Sequence, residues 1–330
     1  MLKILRLSLG LAILSQGFAQ SSLPRVLMVT LSGVRPDDMA LLCPSLDRFK
    51  AASIFYSNVV AKDYEFHMPA VMAINSGINY DDFYMGQSAL KSPSIFQLFR
   101  KQYKLPANAV WSIGAWSAGI AQFADKDWDA NTYPDQIVSF PAAKGFAQSI
   151  EFARKDLAAI FEKSDWDLAE AYSKLETKGW PHWDSYEDVQ FAWFMTILST
   201  HHPYIVHYVM NAPESAHFNT WAHYAISIKE SCQKLETLLN FIDKDSFYHS
   251  MTYLVVSIDH SRDLYYMQHD EHSSTRPSRV WMFWFGVKGK KGIVVDREVT
   301  HKDIFATVKS LYQIPGNYGD GHILWEVIGK

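Results

Sequence analysis

The sequence has few cysteines, no block of basic residues, no internal repeat and no long apolar run beyond its first residues. Only Cys43 and Cys232 are cysteines, and two cysteines this far apart do not form a zinc motif. They could pair in an oxidising compartment, but the sequence leaves their pairing open. The lack of a basic block argues against nucleic acid as a partner. No later segment approaches the roughly eighteen apolar residues of a membrane span, so we expect no transmembrane helix.

The N-terminus has the pattern of a secretory signal peptide. Lys3 and Arg6 precede an apolar run over residues 7–14, and the small residue Ala19 follows. The run is too short to span a bilayer, and a buried first helix is the alternative reading. We therefore expect residues 1–19 to be removed and the mature protein to be secreted or periplasmic.

The mature chain, residues 20–330, is long enough for one large α/β domain or two small ones, and we expect a single domain. Hydrophobic residues make up 48% of the sequence, which indicates ordinary globular composition. With the leader removed, 29 basic residues stand against 35 acidic ones, so the mature chain is mildly acidic. Aromatic residues reach 15%, and core packing is their commoner use, with a lectin-like surface as another reading.

Short apolar runs alternate with amphipathic segments along the chain. The apolar runs predict strands at residues 25–31, 55–61, 108–116, 203–212, 251–258 and 279–287. The amphipathic segments predict helices at residues 45–53, 92–103, 146–163, 185–200, 220–244 and 301–314. This alternation predicts an α/β fold with a mainly parallel central sheet sandwiched by helices. Ligands of such sheets bind beyond the carboxyl ends of the strands.

Carboxylates and imidazoles follow several of the predicted strands. The candidate site residues are Ser32, His67, Glu214, His217, Asp259, His260, His269 and His272. Carboxylate and imidazole groups together suit a divalent transition ion such as zinc. Such an ion activates water or a hydroxyl and offsets charge on a phosphoryl or sulfuryl oxygen. A single histidine after a strand is a weak signal, so the prediction depends on the grouping of several.

Six segments occur in an order that is typical of one family. They are an opening strand and turn (25–39), a helix and second strand (43–61), a nucleophile segment "HMPAVMAINSG" (67–77), a segment with a long helix (214–239), the strand "MTYLVVSIDHSRD" (251–263) and a closing segment (296–327). In these motifs the sequence resembles the alkaline phosphatase superfamily, which includes sulfatases, phosphodiesterases and phosphonate hydrolases.

The resemblance implies a site with two metal ions and a nucleophile that attacks an ester. Asp259 and His260 match ligands of one metal, and His217 matches a ligand of the other. The second histidine of that other metal falls at His269 or His272, which remain alternatives.

Three positions depart from the family pattern. Ser32 stands at the first aspartate ligand, His67 at the nucleophile, and Pro213 at a further aspartate ligand, with Glu214 one residue along as a substitute. The loss of two carboxylates lowers the expected affinity for divalent metal, so we expect one zinc ion or none. Imidazole can form covalent phosphoryl intermediates, which leaves His67 as a candidate nucleophile and Ser32 as the alternative.

The sequence thus predicts an exported sulfatase- or phosphatase-like protein with an altered, metal-dependent active site. Its substrate would be a small-molecule phosphate or sulfate ester. The alternative is a catalytically inactive relative whose cleft binds a ligand or a partner protein. The oligomeric state and the natural substrate do not follow from the sequence.

Overall fold

A mixed β-sheet organises the described part of the chain. The computed structural model describes residues 23–61, 67–79, 92–115, 137–140, 183–213, 221–262, 278–286 and 290–329. The sheet has eight strands in this part of the chain: β1 (Arg25–Leu31), β2 (Ile54–Ala61), β3 (Val110–Ala115), β4 (Ile137–Phe140), β5 (Ile205–Met210), β6 (Thr252–Ile258), β7 (Ser278–Phe285) and β8 (Ile293–Val295). Every residue of β1 and β5 is buried, as expected for strands that are covered on both faces.

The strand order is β4-β3-β5-β1-β6-β7-β2-β8. Only β7, in the described sheet, runs antiparallel to its neighbours; the other adjacent pairs are parallel. Leu31 at the end of β1 pairs with Met210 of β5 and with Ile258 of β6. These three central strands therefore end at the same level, and the turns that follow them lie side by side.

Helices pack around this sheet in two groups. They are α1 (Pro36–Leu42), α2 (Leu46–Ala52), α3 (His67–Ser76), α4 (Ile95–Tyr103), α5 (Trp183–His201), α6 (Trp221–Lys244), α7 (Lys302–Leu311) and α8 (Trp325–Ile328). Helix α7 contacts α3, α4 and α8, whereas α6 contacts α1 and α5. None of the helices in the described residues combines the length and apolar character that a membrane span requires.

The predicted fold class is confirmed. Each of the six predicted strands overlaps an observed strand, and five of the six predicted helices are present. The signal peptide over residues 1–19 and the helix predicted at 146–163 lie outside the described residues. Strands β4 and β8 and helices α1, α3 and α8 were not predicted; β4, β8 and α8 have only three or four residues each, too few to show a period.

Capping explains where α4 begins. The Ser94 hydroxyl accepts a hydrogen bond from the backbone N–H of Gln97 at 3.3 Å, and the Gln97 side chain accepts one from the Ser94 N–H at 2.9 Å. This reciprocal pair satisfies two N–H groups that a helix start leaves without partners. The side chains of Ser94 and Gln97 therefore set the start of the helix.

A disulfide bond joins Cys43, directly after α1, to Cys232 in α6, with their Cα atoms 5.8 Å apart. The sequence had left this pairing open. The bond closes a loop across 189 residues and ties the two helices together next to the sheet.

Candidate functional site

The candidate site lies at the edge of the sheet where β1, β5 and β6 end. Ser32 follows β1, Asn211 follows β5, and Asp259 follows β6. Because the three strands end at one level, these side chains become neighbours although the sequence separates them widely. The structure thereby brings two of the predicted site residues, Ser32 and Asp259, into direct contact.

The carboxylate of Asp259 is fully buried and accepts three hydrogen bonds. The Ser32 hydroxyl donates to Oδ2 at 2.9 Å, and the backbone N–H groups of Gly33 and His260 donate to Oδ1 at 2.9 and 2.7 Å. These contacts fix the orientation of the carboxylate.

His260 is oriented by its own chain. Its Nδ1 lies 3.0 Å from the carbonyl oxygen of Ser261. A carbonyl can only accept a hydrogen bond, so Nδ1 carries the hydrogen and the lone pair of the neutral ring is at Nε2. Nε2 lies 3.7 Å from Oδ2 of Asp259. A histidine held in this way by a backbone carbonyl is the usual second-shell arrangement of a metal ligand.

The turn after β1 is held from both sides at a single residue, Gly33. Its N–H donates to Asp259, and its carbonyl accepts a hydrogen bond at 2.6 Å from Nε of Arg262. Gly33 has a φ of +65°, in the left-handed region where a side chain is disfavoured. Segment 259–262 thus fixes the turn that follows Ser32 through hydrogen bonds on both sides of Gly33.

Arg262 places a buried positive charge at the site. Its side chain is almost fully buried, and its Nη2 donates to the carbonyl of Pro213 at 3.1 Å. The guanidinium carbon lies 5.8 Å from the centre of the Tyr224 ring, a cation–π distance. The sequence analysis overlooked Arg262, because an arginine in a polar turn is usually exposed to solvent.

His301 is a second buried group that the sequence analysis overlooked. Its Nε2 donates to the carbonyl of Ile258 at 2.7 Å, and its Nδ1 has no hydrogen-bond partner among the described residues. Burial lowers the pKa of His301, while the nearby Asp259 carboxylate acts in the opposite direction. The ring is therefore kept neutral directly behind the Asp259–His260 pair.

Glu187 holds the turn after β5 by accepting backbone N–H groups, as Asp259 does for the turn after β1. This fully buried residue of α5 accepts hydrogen bonds from the backbone N–H groups of Asn211 and Ala212, at 2.7 and 3.0 Å, and from the Tyr208 hydroxyl. Burial raises the pKa of Glu187, and the charge of Lys234 and these hydrogen bonds oppose that rise. In the sequence, Glu187 resembles an ordinary acidic residue on an exposed helix face.

Helix α3, which begins at His67, is anchored by a buried polar chain. The Thr30 hydroxyl lies 2.8 Å from Nε2 of His207, and Nδ1 of His207 lies 2.9 Å from the side-chain oxygen of Asn75. All three side chains are buried. This chain links α3 to β5 and β1 and fixes the helix against the centre of the sheet.

Several predicted site residues lie outside the described residues: Glu214, His217, His269 and His272. The His67 backbone begins α3, and its side chain is likewise outside the description. In the described part of the chain, no three metal-binding side chains form a cluster. Of the predicted site residues, the structure therefore describes the side chains of Ser32, Asp259 and His260.

The described part of the candidate site is compatible with one metal ion at Asp259 and His260. Metal ligands lie about 2.0–2.2 Å from zinc, and one ion can bridge atoms 3.7 Å apart at such distances. Asp259 Oδ2 and His260 Nε2 could therefore hold one ion together. At the position that matches the family's first aspartate ligand, Ser32 supplies a neutral hydroxyl that already donates to Asp259, so this position adds no negative charge for a second ion.

No family model matches the sequence, and no curated protein matches it significantly. Solved structures do match. A phosphonate monoester hydrolase of Agrobacterium radiobacter has a TM-score of 0.61 at 13% identity, over 93% of this chain and 77% of that one. A sulfatase from Pseudoalteromonas sp. has a TM-score of 0.54 at 13% identity, over 90% and 69%.

A protein of the alkaline phosphatase superfamily from Vibrio parahaemolyticus also matches, with a TM-score of 0.54 at 13% identity, over 88% of this chain and 66% of that one. Structural matches at such low sequence identity establish the fold and leave the activity open. These structural matches show that the chain has the fold of the alkaline phosphatase superfamily.

Proposed function

We propose that the protein is an exported hydrolase of phosphate or sulfate esters with a single divalent cation, zinc by its ligand types, at Asp259 and His260. The observation that carries the proposal is the pairing of these two side chains. Nδ1 of His260 is fixed on a carbonyl, and Nε2 lies 3.7 Å from a carboxylate oxygen. Glu214, His217 and His269 or His272 would complete the ligand set. The cation would polarise the ester oxygen and lower the pKa of bound water.

The nucleophile in this proposal is His67, at the start of α3. A neutral imidazole nitrogen would attack the phosphorus, and a nitrogen–phosphorus bond would form as the bond from phosphorus to the ester oxygen breaks. The alkoxide would leave with that electron pair and take a proton from water, and a second water would then hydrolyse the phosphoimidazole to inorganic phosphate and free imidazole. Ser32 is the alternative nucleophile. Its hydroxyl is fully buried and donates to Asp259, which favours a role in holding that carboxylate.

Export and domain organisation belong to the same proposal. Residues 1–19 would be a cleaved signal peptide and residues 20–330 one domain, in the periplasm or outside the cell. The Cys43–Cys232 disulfide supports this location, because such bonds persist where the environment is oxidising.

A second candidate function is a non-catalytic relative that binds an anionic ligand or a partner. It is favoured by Ser32, whose hydroxyl occupies the position of a carboxylate and donates to Asp259. In this reading, Asp259 serves only to hold two turns, and Arg262 supplies the positive charge for an anion.

A metal titration combined with ester hydrolysis separates the two functions. Zn²⁺ or Mn²⁺ is titrated into purified mature protein, and chromogenic phosphate and sulfate esters are then assayed. We expect one ion per chain, measurable turnover, and loss of both in Asp259→Asn. Asp245→Asn is the matched control, since the Asp245 carboxylate also accepts two backbone N–H groups, 2.9 and 3.1 Å away, but precedes β6 at the other edge of the sheet.

Absence of both bound metal and turnover in the wild type would reject the hydrolase. Metal or anion binding without turnover of any ester would favour the second candidate instead.

A further inference from the structure

The outer side of β8 is an open edge of the described sheet. In that sheet β8 pairs with β2 on one side and is the last strand on the other. Two of its side chains are exposed and apolar: 36% of Ile293 and 64% of Val294 is accessible to solvent. An edge strand presents backbone N–H and C=O groups to the outside, and these can pair with a further strand.

The inner side of this segment is fixed on both flanks of β8. Before the strand, the Gly292 N–H donates to the carbonyl of Ser53 at 2.9 Å. After it, the side-chain amide of Asn58 donates to the carbonyl of Asp296 at 3.1 Å. The backbone is therefore held against β2 one residue beyond each end of β8, and its outer side is ready to pair.

Charges of opposite sign flank the exposed pair. Lys290 and Lys291 precede β8, and Asp296 and Glu298 follow it. Lys291, Asp296 and Glu298 are exposed, and none of them forms an ion pair in the part of the chain that the structure describes. The edge thus has a basic start and an acidic end.

Arg297 does not cancel the acidic end. Its guanidinium forms hydrogen bonds of 2.9–3.1 Å to the carboxylate of Glu326 in α8, so its charge is already matched within the chain. The Lys290 ammonium donates to the backbone carbonyl of Glu326 at 2.7 Å. A carbonyl is neutral, so Lys290 keeps its positive charge at the start of the edge.

This charge order complements itself when two copies pair antiparallel. A two-fold axis at β8 places the basic start of each strand beside the acidic end of the other, and symmetry repeats the contact. Parallel pairing would place like charges side by side, which disfavours it. The same patch then serves both copies, as in a closed two-fold dimer.

We propose that the protein forms a two-fold dimer through antiparallel pairing of the β8 strands of two copies. Backbone hydrogen bonds across the edge and contacts of Ile293 and Val294 hold it, and the flanking charges set its orientation. The paired segment is short, so the dimer is weak and reversible. It does not depend on the proposed hydrolysis, since β8 is three strands away from β6, the nearest strand of the candidate site.

Sedimentation equilibrium of the mature protein, in a concentration series up to about 1 mM, measures the dimer. We expect a reversible monomer–dimer equilibrium in the wild type. Val294→Lys should raise the dimer dissociation constant at least about 10-fold, because it places a charge in the centre of the paired edge. Leu41→Lys is the matched control. Leu41 is an exposed apolar residue of α1, and its replacement should leave the dissociation constant unchanged.

Charge reversal tests the antiparallel orientation. One variant, Lys290→Glu/Lys291→Glu, makes both ends of the edge acidic, and another, Asp296→Lys/Glu298→Lys, makes both ends basic. Each alone should dimerise at least about 10-fold more weakly than the wild type, because like charges meet. An equimolar mixture should form a heterodimer, since an acidic end then lies beside a basic end on both sides of the axis.

A wild type that stays monomeric throughout the concentration series would overturn the proposal. So would a dimer that Val294→Lys leaves unchanged, because β8 would then not be its interface. A mixture of the two charge variants that remains monomeric would also contradict it. These outcomes are independent of metal binding and ester hydrolysis.

Discussion

Two buried carboxyl groups, Asp259 and Glu187, accept nearly the same set of hydrogen bonds but have different neighbouring groups. Each accepts two backbone N–H groups of strand-end turns and one hydroxyl. Asp259 has an imidazole nitrogen 3.7 Å away, whereas the positive charge of Lys234 acts on Glu187 and opposes the rise of its pKa. The shared contacts are structural, and the neighbouring imidazole distinguishes Asp259. In the proposed function, these two groups hold the cation together.

The largest effects should come from removing either acid. Asp259→Ala and Glu187→Ala each leave three buried donors without their acceptor, and we expect each to lower the free energy of unfolding by about 3–5 kcal/mol. Asp259→Asn and Glu187→Gln should cost only about 1 kcal/mol, since an amide oxygen still accepts the N–H groups. Urea denaturation measures the free energy of unfolding of all four variants. A loss of stability as large in the Asn and Gln variants as in the Ala variants would contradict the account.

The disulfide should support both acids through α6. This helix carries Tyr224, beside Arg262, and Lys234, beside Glu187. We expect the double variant Cys43→Ala/Cys232→Ala to lose about 2–5 kcal/mol of stability, because the bond closes a long loop. Denaturation of the oxidised wild type and the variant tests this, and equal stability would exclude the supporting role.

The pH dependence of stability should separate Glu187 from other acids. Burial raises its pKa above the ordinary 4.5, so the folded state binds more protons than the unfolded state above that pH. The stabilisation is complete below about pH 4.5 and is lost as the pH rises through the folded pKa, by at most about 1.4 kcal/mol per pH unit. Glu187→Gln removes this dependence.

Urea denaturation from pH 4 to 8 provides the measurement. The stability of the wild type minus that of Glu187→Gln should fall as the pH rises. A stability difference that stays constant or grows with pH would show that the surroundings of Glu187 do not raise its pKa.

The smallest effects should come from the two hydroxyls. Ser32→Ala and Tyr208→Phe each remove one donor from a carboxyl group, at Asp259 and Glu187 respectively. We expect about 1–2 kcal/mol from each, measured by thermal or urea denaturation. A much larger loss in Ser32→Ala than in Tyr208→Phe would mean that the two carboxyl groups are not held alike.

The sequence predicted what depends on local pattern and missed what depends on tertiary contacts. The run of strand residues before Asp259 marked the end of β6 and a candidate site. Glu187 and Arg262 gave no such signal, because their burial arises only when α5 and the turn after β6 close on Pro213 and its neighbours. The pairing of Cys43 with Cys232 likewise depends on α6 folding back beside α1, which no local pattern shows.

The most direct test of the central claim is a calorimetric Zn²⁺ titration of three proteins: the mature wild type, Asp259→Asn and Glu187→Gln. The account predicts one bound ion in the wild type and in Glu187→Gln, and none in Asp259→Asn. Equal binding in Asp259→Asn and the wild type, or no binding in either, would contradict a metal site at Asp259 and His260.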